Sequence, residues 1–270
     1  MRELLIRTLS GIVLVAVIIG AVLLSPWACA ALGLLIVTIG SDEMGRLLQI
    51  PINMRRGLGL LMAVGSFVLA ALVGLGVLPQ RCLSLELLVF LLPFLWSLFS
   101  TKTDFKHLSA YAYGSMVYLS MPCSLMVFMY DETLFGNLAG PRLVLLVFAL
   151  LWVNDIFAYL TGRLLGKHKL FERISPGKTI EGSLGGLLFT LGGVALLSHY
   201  VAWLPMKEAI GLGLMASVFG TLGDLCESML KRQAGVKDSG KLIPGHGGIL
   251  DRFDSVMFAV PFVFVFLLLL

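Results

Sequence analysis

The chain has 270 residues, of which 58% are hydrophobic and 13% charged, and its mean hydropathy is +0.96. A soluble domain carries roughly 45–50% apolar and about 25% charged residues, so half the charge needed to clothe a globule is missing; disordered, collagen-like and disulfide-framework classes are excluded as well. The net charge of +4, from 20 Lys and Arg against 16 Asp and Glu, does not gather on one soluble face, so no nucleic-acid partner is expected.

A spanning helix needs about 20 mostly apolar residues, and nine runs approach that length: 8–24, 27–40, 58–78, 85–99, 109–129, 141–160, 183–204, 209–226 and 253–270. They are continuous rather than alternating, which argues for helices and against a strand barrel. The expectation is an all-α, polytopic integral membrane protein of about nine transmembrane helices. It forms a single membrane-embedded domain over 1–270, with the less specific helices in 1–140 and the chemistry in 141–270. The first run imitates a signal peptide, with Arg2 and Arg7 before it and Ala28-Cys29-Ala30 after it. The stretch from Leu9 to Leu24 exceeds the usual 7–15-residue core, however, and more spans follow, so an uncleaved helix is expected. Cys29, Cys82, Cys123 and Cys226 stand singly, a spacing that implies neither a zinc site nor a disulfide framework.

Two polar segments exceed a tight loop, Thr161 to Gly182 and Glu227 to Arg252. With the N-terminus in the cytoplasm, seventeen basic residues fall inside, and only Arg81, Arg142 and Lys207 fall outside. That asymmetry orients the chain: a multi-pass protein of the cytoplasmic (inner) membrane, its C-terminus on the opposite side and both polar segments facing the nucleotide pool across a polar cavity. No internal repeat of the kind secondary transporters carry is visible.

The second polar segment reads Ser228-Met-Leu-Lys231-Arg232, then Lys237-Asp238, then Pro244-Gly-His246-Gly247-Gly248-Ile-Leu-Asp251-Arg252-Phe-Asp254. Upstream, Asp224, Ser228 and Lys231 fall at i, i+4 and i+7, on one helical face. Asp224 and Asp254 are written into the ends of apolar helices, where an ionisable group is costly and usually functional. Acids alternating with bases around a glycine-rich turn suit a bound metal and phosphates, because carboxylates hold magnesium while Lys and Arg meet phosphate oxygens. Gly247 and Gly248 beside His246 let backbone N–H groups approach an anion closely. His246 itself reads as a base, a phosphate donor, a metal ligand or a histidine merely held in a turn. The first polar segment carries Asn154-Asp155-x-x-Ala158-Tyr159-x-x-Gly162 just before it and Ser175-Pro-Gly-Lys178-Thr179-Ile-Glu181-Gly182 at its end. Asp155 is expected roughly 8 Å below the end of its helix, too deep for a lone carboxylate. A helix that opens at Glu181-Gly182 after Lys and Thr is a fair phosphate site. Gly235 to Lys241 imitates a P-loop, but Leu242 stands where Ser or Thr must be.

The string from Ser228 to Asp254 resembles the signature of the phosphatidate cytidylyltransferases (CDP-diacylglycerol synthases): S-x-x-K-R, K-D, then P-x-H-G-G-x-x-D-R-x-D. The Asn154-Asp155 and Ser-Pro-x-Lys-Thr-x-Glu-Gly strings are similar to that family's other recurrent segments, so the resemblance spans most of residues 150–254. It implies transfer of CMP from CTP to phosphatidic acid, giving CDP-diacylglycerol and pyrophosphate, in an enzyme whose partners are CTP, phosphatidic acid and the lipid bilayer. Homo-oligomerisation is compatible with it. It also implies Mg2+, with room for a second cation. The expected ligands are Asp224 and Asp251 first and Asp155 and Asp254 next. Lys231, with those first two carboxylates, is the expected catalytic group. Asn154, Lys178, Thr179, Ser228, Arg232, Lys237, Asp238, His246, Gly247, Gly248 and Arg252 are the expected substrate contacts. A CTP-dependent lipid kinase and, from another class, an anion transporter are the alternatives.

Overall fold

The computed structural model describes residues 2–99 and 105–270; Lys102, counted among the inward-facing basic residues, lies outside them. Among the described residues nine longer helices fall on the nine apolar runs: α1 (Arg2–Leu24), α2 (Pro26–Leu47), α3 (Leu60–Gly74), α4 (Glu86–Phe99), α5 (Phe105–Phe128), α6 (Pro141–Leu165), α7 (Ile180–Tyr200), α8 (Met206–Gln233) and α9 (Leu250–Leu268). By length and composition α1, α2, the segment Gln80–Phe99 that ends in α4, α6, α7 and α8 can each cross a membrane, and α5 with the turns after it makes a seventh candidate. The protein is an all-α, multi-pass membrane protein. Two of the nine runs fall short of a full span: α3 has 15 residues, and α9 opens on Asp251, Arg252 and Asp254 before its apolar stretch begins.

The structure adds an element that the sequence reading left as loop. Residues Lys169–Phe171 (β1) and Ser175–Thr179 (β2) pair antiparallel, a short ribbon that delivers Thr179 to the start of α7. Helix α6 also runs on to Leu165, because nothing in Thr161-Gly-Arg-Leu-Leu breaks it before Gly166. Asp155 therefore sits about 15 Å from the helix end, at 1.5 Å per residue, rather than one and a half turns from it.

The chain forms two compact units: Met1–Tyr130 with Ala234–Phe253, and Asp131–Gln233 with Asp254–Leu270. The glycine-rich part of the signature thus belongs with the N-terminal helices. In that first unit α2 lies against α1, α3 and α5, burying Ile36, Val37, Met62, Phe67 and Leu119. Two hydroxyls reinforce the packing by donating to backbone carbonyls: Ser120 to Ala63 O at 2.7 Å and Tyr130 to Val22 O at 2.7 Å.

The second unit is organised by a close approach of α6 and α7. Asn154, Ala158 and Gly162 recur every fourth residue on one face of α6 and meet Gly182 and Gly186 of α7. A methyl group on Gly182 would stand 2.7 Å from Ala158 O, and one on Gly186 would stand 2.7 Å from Asn154 O. Small residues that let two backbones touch are the usual device for helix association in lipid, where apolar side chains gain little by leaving the hydrocarbon. That contact explains why Asn154 and Ala158 belong to one motif. Helices α8 and α9 close the unit through Gly223, whose Cα faces Asp254 O and Ser255, and through stacked Phe219 and Phe262.

Adding one carbon tests this packing. Gly186→Ala should lower the apparent melting temperature of the detergent-solubilised protein by several degrees, an overpacking penalty of about 1–3 kcal/mol. Gly192→Ala, in the same helix with no atom within 4 Å of the added carbon, should leave it unchanged. Equal melting of the two variants would contradict the α6–α7 contact.

Candidate active site

The first group of polar side chains forms in the second unit. Lys178, at the end of β2, reaches across to Asp224 of α8, with Nζ 2.5 Å from Oδ2, so two motifs more than forty residues apart in the sequence meet in one ion pair. Ser228 lies one turn further along α8 and donates to Asp224 Oδ1 at 3.2 Å. The next turn pairs Glu227, fully buried, with Lys231. Asp155 is within electrostatic reach of Lys178 and Asp224, and Asp254 within reach of Asp224, Asp155 and Lys231. Asn154 is buried and donates to Thr221 Oγ1 at 3.4 Å, while its own Oδ1 has no hydrogen-bond partner. Thr179 caps α7, its Oγ1 accepting from Gly182 N–H at 3.1 Å, and Arg232 is exposed near the end of α8. Glu181 folds the chain before β1 onto the start of α7 by accepting from the backbone N–H groups of Lys167 at 3.0 Å and His168 at 3.1 Å.

The second group forms in the first unit, around the signature's glycines. Asp251 Oδ2 accepts from Ser239 N–H at 2.9 Å, Ser239 Oγ–H at 3.0 Å and Gly248 N–H at 2.7 Å. This carboxylate therefore ties the loop to the first turn of α9. Opposite it stands Glu43 of α2, only 4% exposed, whose oxygens accept from Ile249 N–H at 3.1 Å and Leu250 N–H at 2.9 Å. The positive end of a helix favours an anion there, and Glu43 supplies it. The Ser239 hydroxyl also lies 3.0 Å from Glu43 Oε2, so one proton is shared between two carboxylates. A side chain at Gly248 has no room, since its Cβ would be 2.3 Å from Ser239 Oγ and 2.5 Å from Glu43 Oε2. Gly247, at φ +86°, occupies the left-handed region that glycine adopts without cost. In this arrangement Gly248 N–H is committed to Asp251, and His246 N–H donates to Ile243 O at 2.9 Å; these two amides organise the turn.

His246 rests on α1, its Nδ1 2.8 Å from Ser10 Oγ. Partial burial, with the guanidiniums of Arg252 and Arg7 nearby, holds its imidazole below the usual histidine range. Lys237, Asp238, His246, Gly247 and Arg252 line a cavity of about 420 Å³.

Sequence reasoning missed Glu43, Glu227, Ser239, Arg7 and Ser10. The first two lie just past the apolar runs 27–40 and 209–226, on the turns by which α2 and α8 outlast those runs. Ser239, Arg7 and Ser10 gain meaning only from the fold.

Asp224 and Asp251, the expected pair of metal ligands, fall one in each group. Among the described residues no three His, Cys, Asp or Glu side chains come close enough to form a complete metal cage. Magnesium does not require one, since it keeps several waters and is commonly held by one or two carboxylates plus substrate phosphates. The donor set around Asp224 is all oxygen, and an ammonium group already sits against it; that chemistry fits a hard cation.

Residues 5–270 match the sequence profile of the cytidylyltransferase family. Proteins named phosphatidate cytidylyltransferase from Staphylococcus aureus strain COL, Staphylococcus epidermidis strain ATCC 12228 and Staphylococcus haemolyticus strain JCSC1435 are each 48% identical to the chain. The alignments run over 130 residues for the first and 134 for the other two, covering 48% of this chain and 50% of each relative. The chain spans about half the length of the curated relatives it matches.

Glu43→Gln replaces an acceptor oxygen by a donor facing three donors, and each buried group left unpaired costs about 1–3 kcal/mol. Limited proteolysis should therefore cut the variant faster within 234–249, with cleavage elsewhere unchanged. Wild-type cleavage rates in that segment would show that Glu43 does not hold the loop.

Proposed function

The chain belongs to the cytidylyltransferase family, and from that premise we propose that it transfers CMP from CTP to phosphatidic acid, releasing pyrophosphate. The observation that carries the proposal is the Lys178–Asp224 ion pair, which gathers cations, carboxylates and a capped helix start into one site suited to a polyanionic nucleotide. A phosphate oxygen of the lipid attacks the α-phosphorus of CTP, a new P–O–P bond forms, and the bond to the β-phosphate breaks with its electron pair leaving on pyrophosphate. Both reactants are polyanions, so the protein's task is to bring them together and stabilise the leaving group's charge. Lys178, Lys231 and Arg232 serve the nucleotide phosphates, with Asn154, Thr179 and Ser228 positioning around them. Lys237, His246, Gly247 and Arg252 serve the second anion in a cavity that Asp238 also lines, on a turn that Gly248 fixes through its bond to Asp251. Asp224, with Asp155 or Asp254, would hold Mg2+, which would neutralise charge on the phosphates; within its own unit Asp251 would hold the second cation. A phosphate monoester has a second pKa of about 6, by analogy with phosphoserine, so its attacking oxygen is already largely ionised and needs no general base.

The reading places the N-terminus and both polar segments in the cytoplasm, on the inner membrane. In a cysteine-free background, single cysteines at Lys169 and Lys237 should be shielded from an impermeant thiol reagent in intact cells, whereas one at Lys207 should react; the reverse pattern would remove the site from the nucleotide pool.

The purified protein given CTP, phosphatidic acid and magnesium should form CDP-diacylglycerol and pyrophosphate, with chelator abolishing turnover and magnesium restoring it. Asp224→Ala and Asp251→Ala should each lower the rate by several orders of magnitude. His246→Asn should remain clearly more active than Asp251→Asn and keep its acidic pH limb, because an already ionised phosphate nucleophile needs no base. A His246 variant as inactive as the aspartate variants, or one rescued by imidazole, would show that a base is needed. Phosphorylated lipid with free CDP would identify a CTP-dependent lipid kinase instead.

A further inference from the structure

The cavity beside the signature turn is completed by two residues outside the motif's conserved letters, Arg7 of α1 and Lys241. With Lys237 and Arg252 they give it four cations against the single carboxylate of Asp238. Its volume of about 420 Å³ lies within the roughly 300–1,000 Å³ typical of ligand sites. Helix α1 and the turn are built against each other here. The Arg7 side chain lies on Gly245, where a methyl group would stand 2.6 Å from its Cγ. Ser10 Oγ lies 3.0 Å from Pro244 O and 2.8 Å from His246 Nδ1, and the imidazole edge lies over Gly11.

We propose that this cavity binds the phosphomonoester group of the acceptor lipid, with Arg7 and Lys241 as phosphate-binding residues. The cations specify a multiply charged anion, and the membrane specifies which one. Just beyond Arg7, on the side of α1 turned away from Arg7, Ser10 and Gly11, the helix is apolar and open, with Leu9 54%, Ile12 60%, Val13 60% and Val17 50% exposed. In a bilayer that ridge meets acyl chains, which sets a phosphate held by Arg7 at headgroup depth. Arginine is suited to the task because its planar fork meets two phosphate oxygens at once. A nucleotide base would call for a stacking surface, and among the described residues that line the cavity none is Phe, Tyr or Trp. The inference deepens the proposed function and rests on it for the identity of the acceptor.

The test uses the full chain in detergent micelles without CTP, titrated separately with dioctanoyl phosphatidic acid, glycerol 3-phosphate and pyrophosphate. Wild type should bind the lipid, and Arg7→Gln and Lys241→Gln should each weaken that binding about tenfold, the order expected for one charge-assisted contact, with Arg7→Lys retaining most of it. Under turnover, the KM for phosphatidic acid should rise in parallel and the KM for CTP should stay within twofold. Lys241 lies on an exposed loop, so its variant reports even if Arg7→Gln disturbs α1. Lipid binding unchanged in both glutamine variants would overturn the proposal, as would pyrophosphate binding lost in place of lipid binding, or glycerol 3-phosphate binding as tight as the lipid. Arg7-dependent lipid binding with no CDP-lipid formed would leave the site standing and defeat the proposed function instead.

Discussion

An ionised group in an apolar helix must have a partner, because the hydrocarbon offers it no water. Nearly every distinctive feature of this chain follows from meeting that demand. Asp224 is answered by Lys178 and Ser228, Glu227 by Lys231, and Glu43 by the amides that open α9. The Asp224–Lys178 and Glu43–α9 pairings are not local in sequence, so these charges act as rivets between elements that apolar contact alone would hold only loosely. A buried ion pair is weak evidence for stability. Its value here is specificity, since a helix that slipped by a turn would strand a charge.

Two other constraints set the spacing within which those rivets work. The glycines of α7 bring it against α6 closely enough that Asn154, Ala158 and Gly162 share one contact face, and the same register sets Asp155 on the adjoining face. In the other unit, Gly247 and Gly248 permit a turn so tight that Asp251 gathers two backbone amides and a hydroxyl on a single oxygen. Asp251 thus holds the loop together, which is why a change there has to be compared with the effect at Glu43 before either is called chemical.

Much of this was legible in the residues. Continuous apolar runs located the nine longer helices among the described residues but not their ends, since α2 continues to Leu47 and α8 to Gln233 on polar turns. The misplaced acids Asp224, Asp155 and Asp254 and the P-x-H-G-G turn pointed to the two polar groups, one in each unit. What stayed hidden has physical reasons. The α6 boundary was set too early, because polar Thr161 and Arg163 read as loop although neither breaks a helix. The β1–β2 ribbon is too short to carry a periodic signal. Arg7 and Ser10 look like an ordinary basic flank and an ordinary helix serine until the turn at Pro244 is seen against them. Glu43 is hidden because its apolar run ends at residue 40, whereas the helix continues to Leu47 and carries the acid into the packed core.

The central claim is that the bond broken lies between the α- and β-phosphorus of CTP. The most direct measurement partitions label: parallel reactions with phosphatidic acid and CTP carrying the label at the α- or at the γ-phosphorus, followed by separation of the organic and aqueous phases. The account predicts α-label in the lipid and γ-label retained in aqueous pyrophosphate. Label reaching the lipid from the γ-position, with α-label left in aqueous CDP, would contradict it.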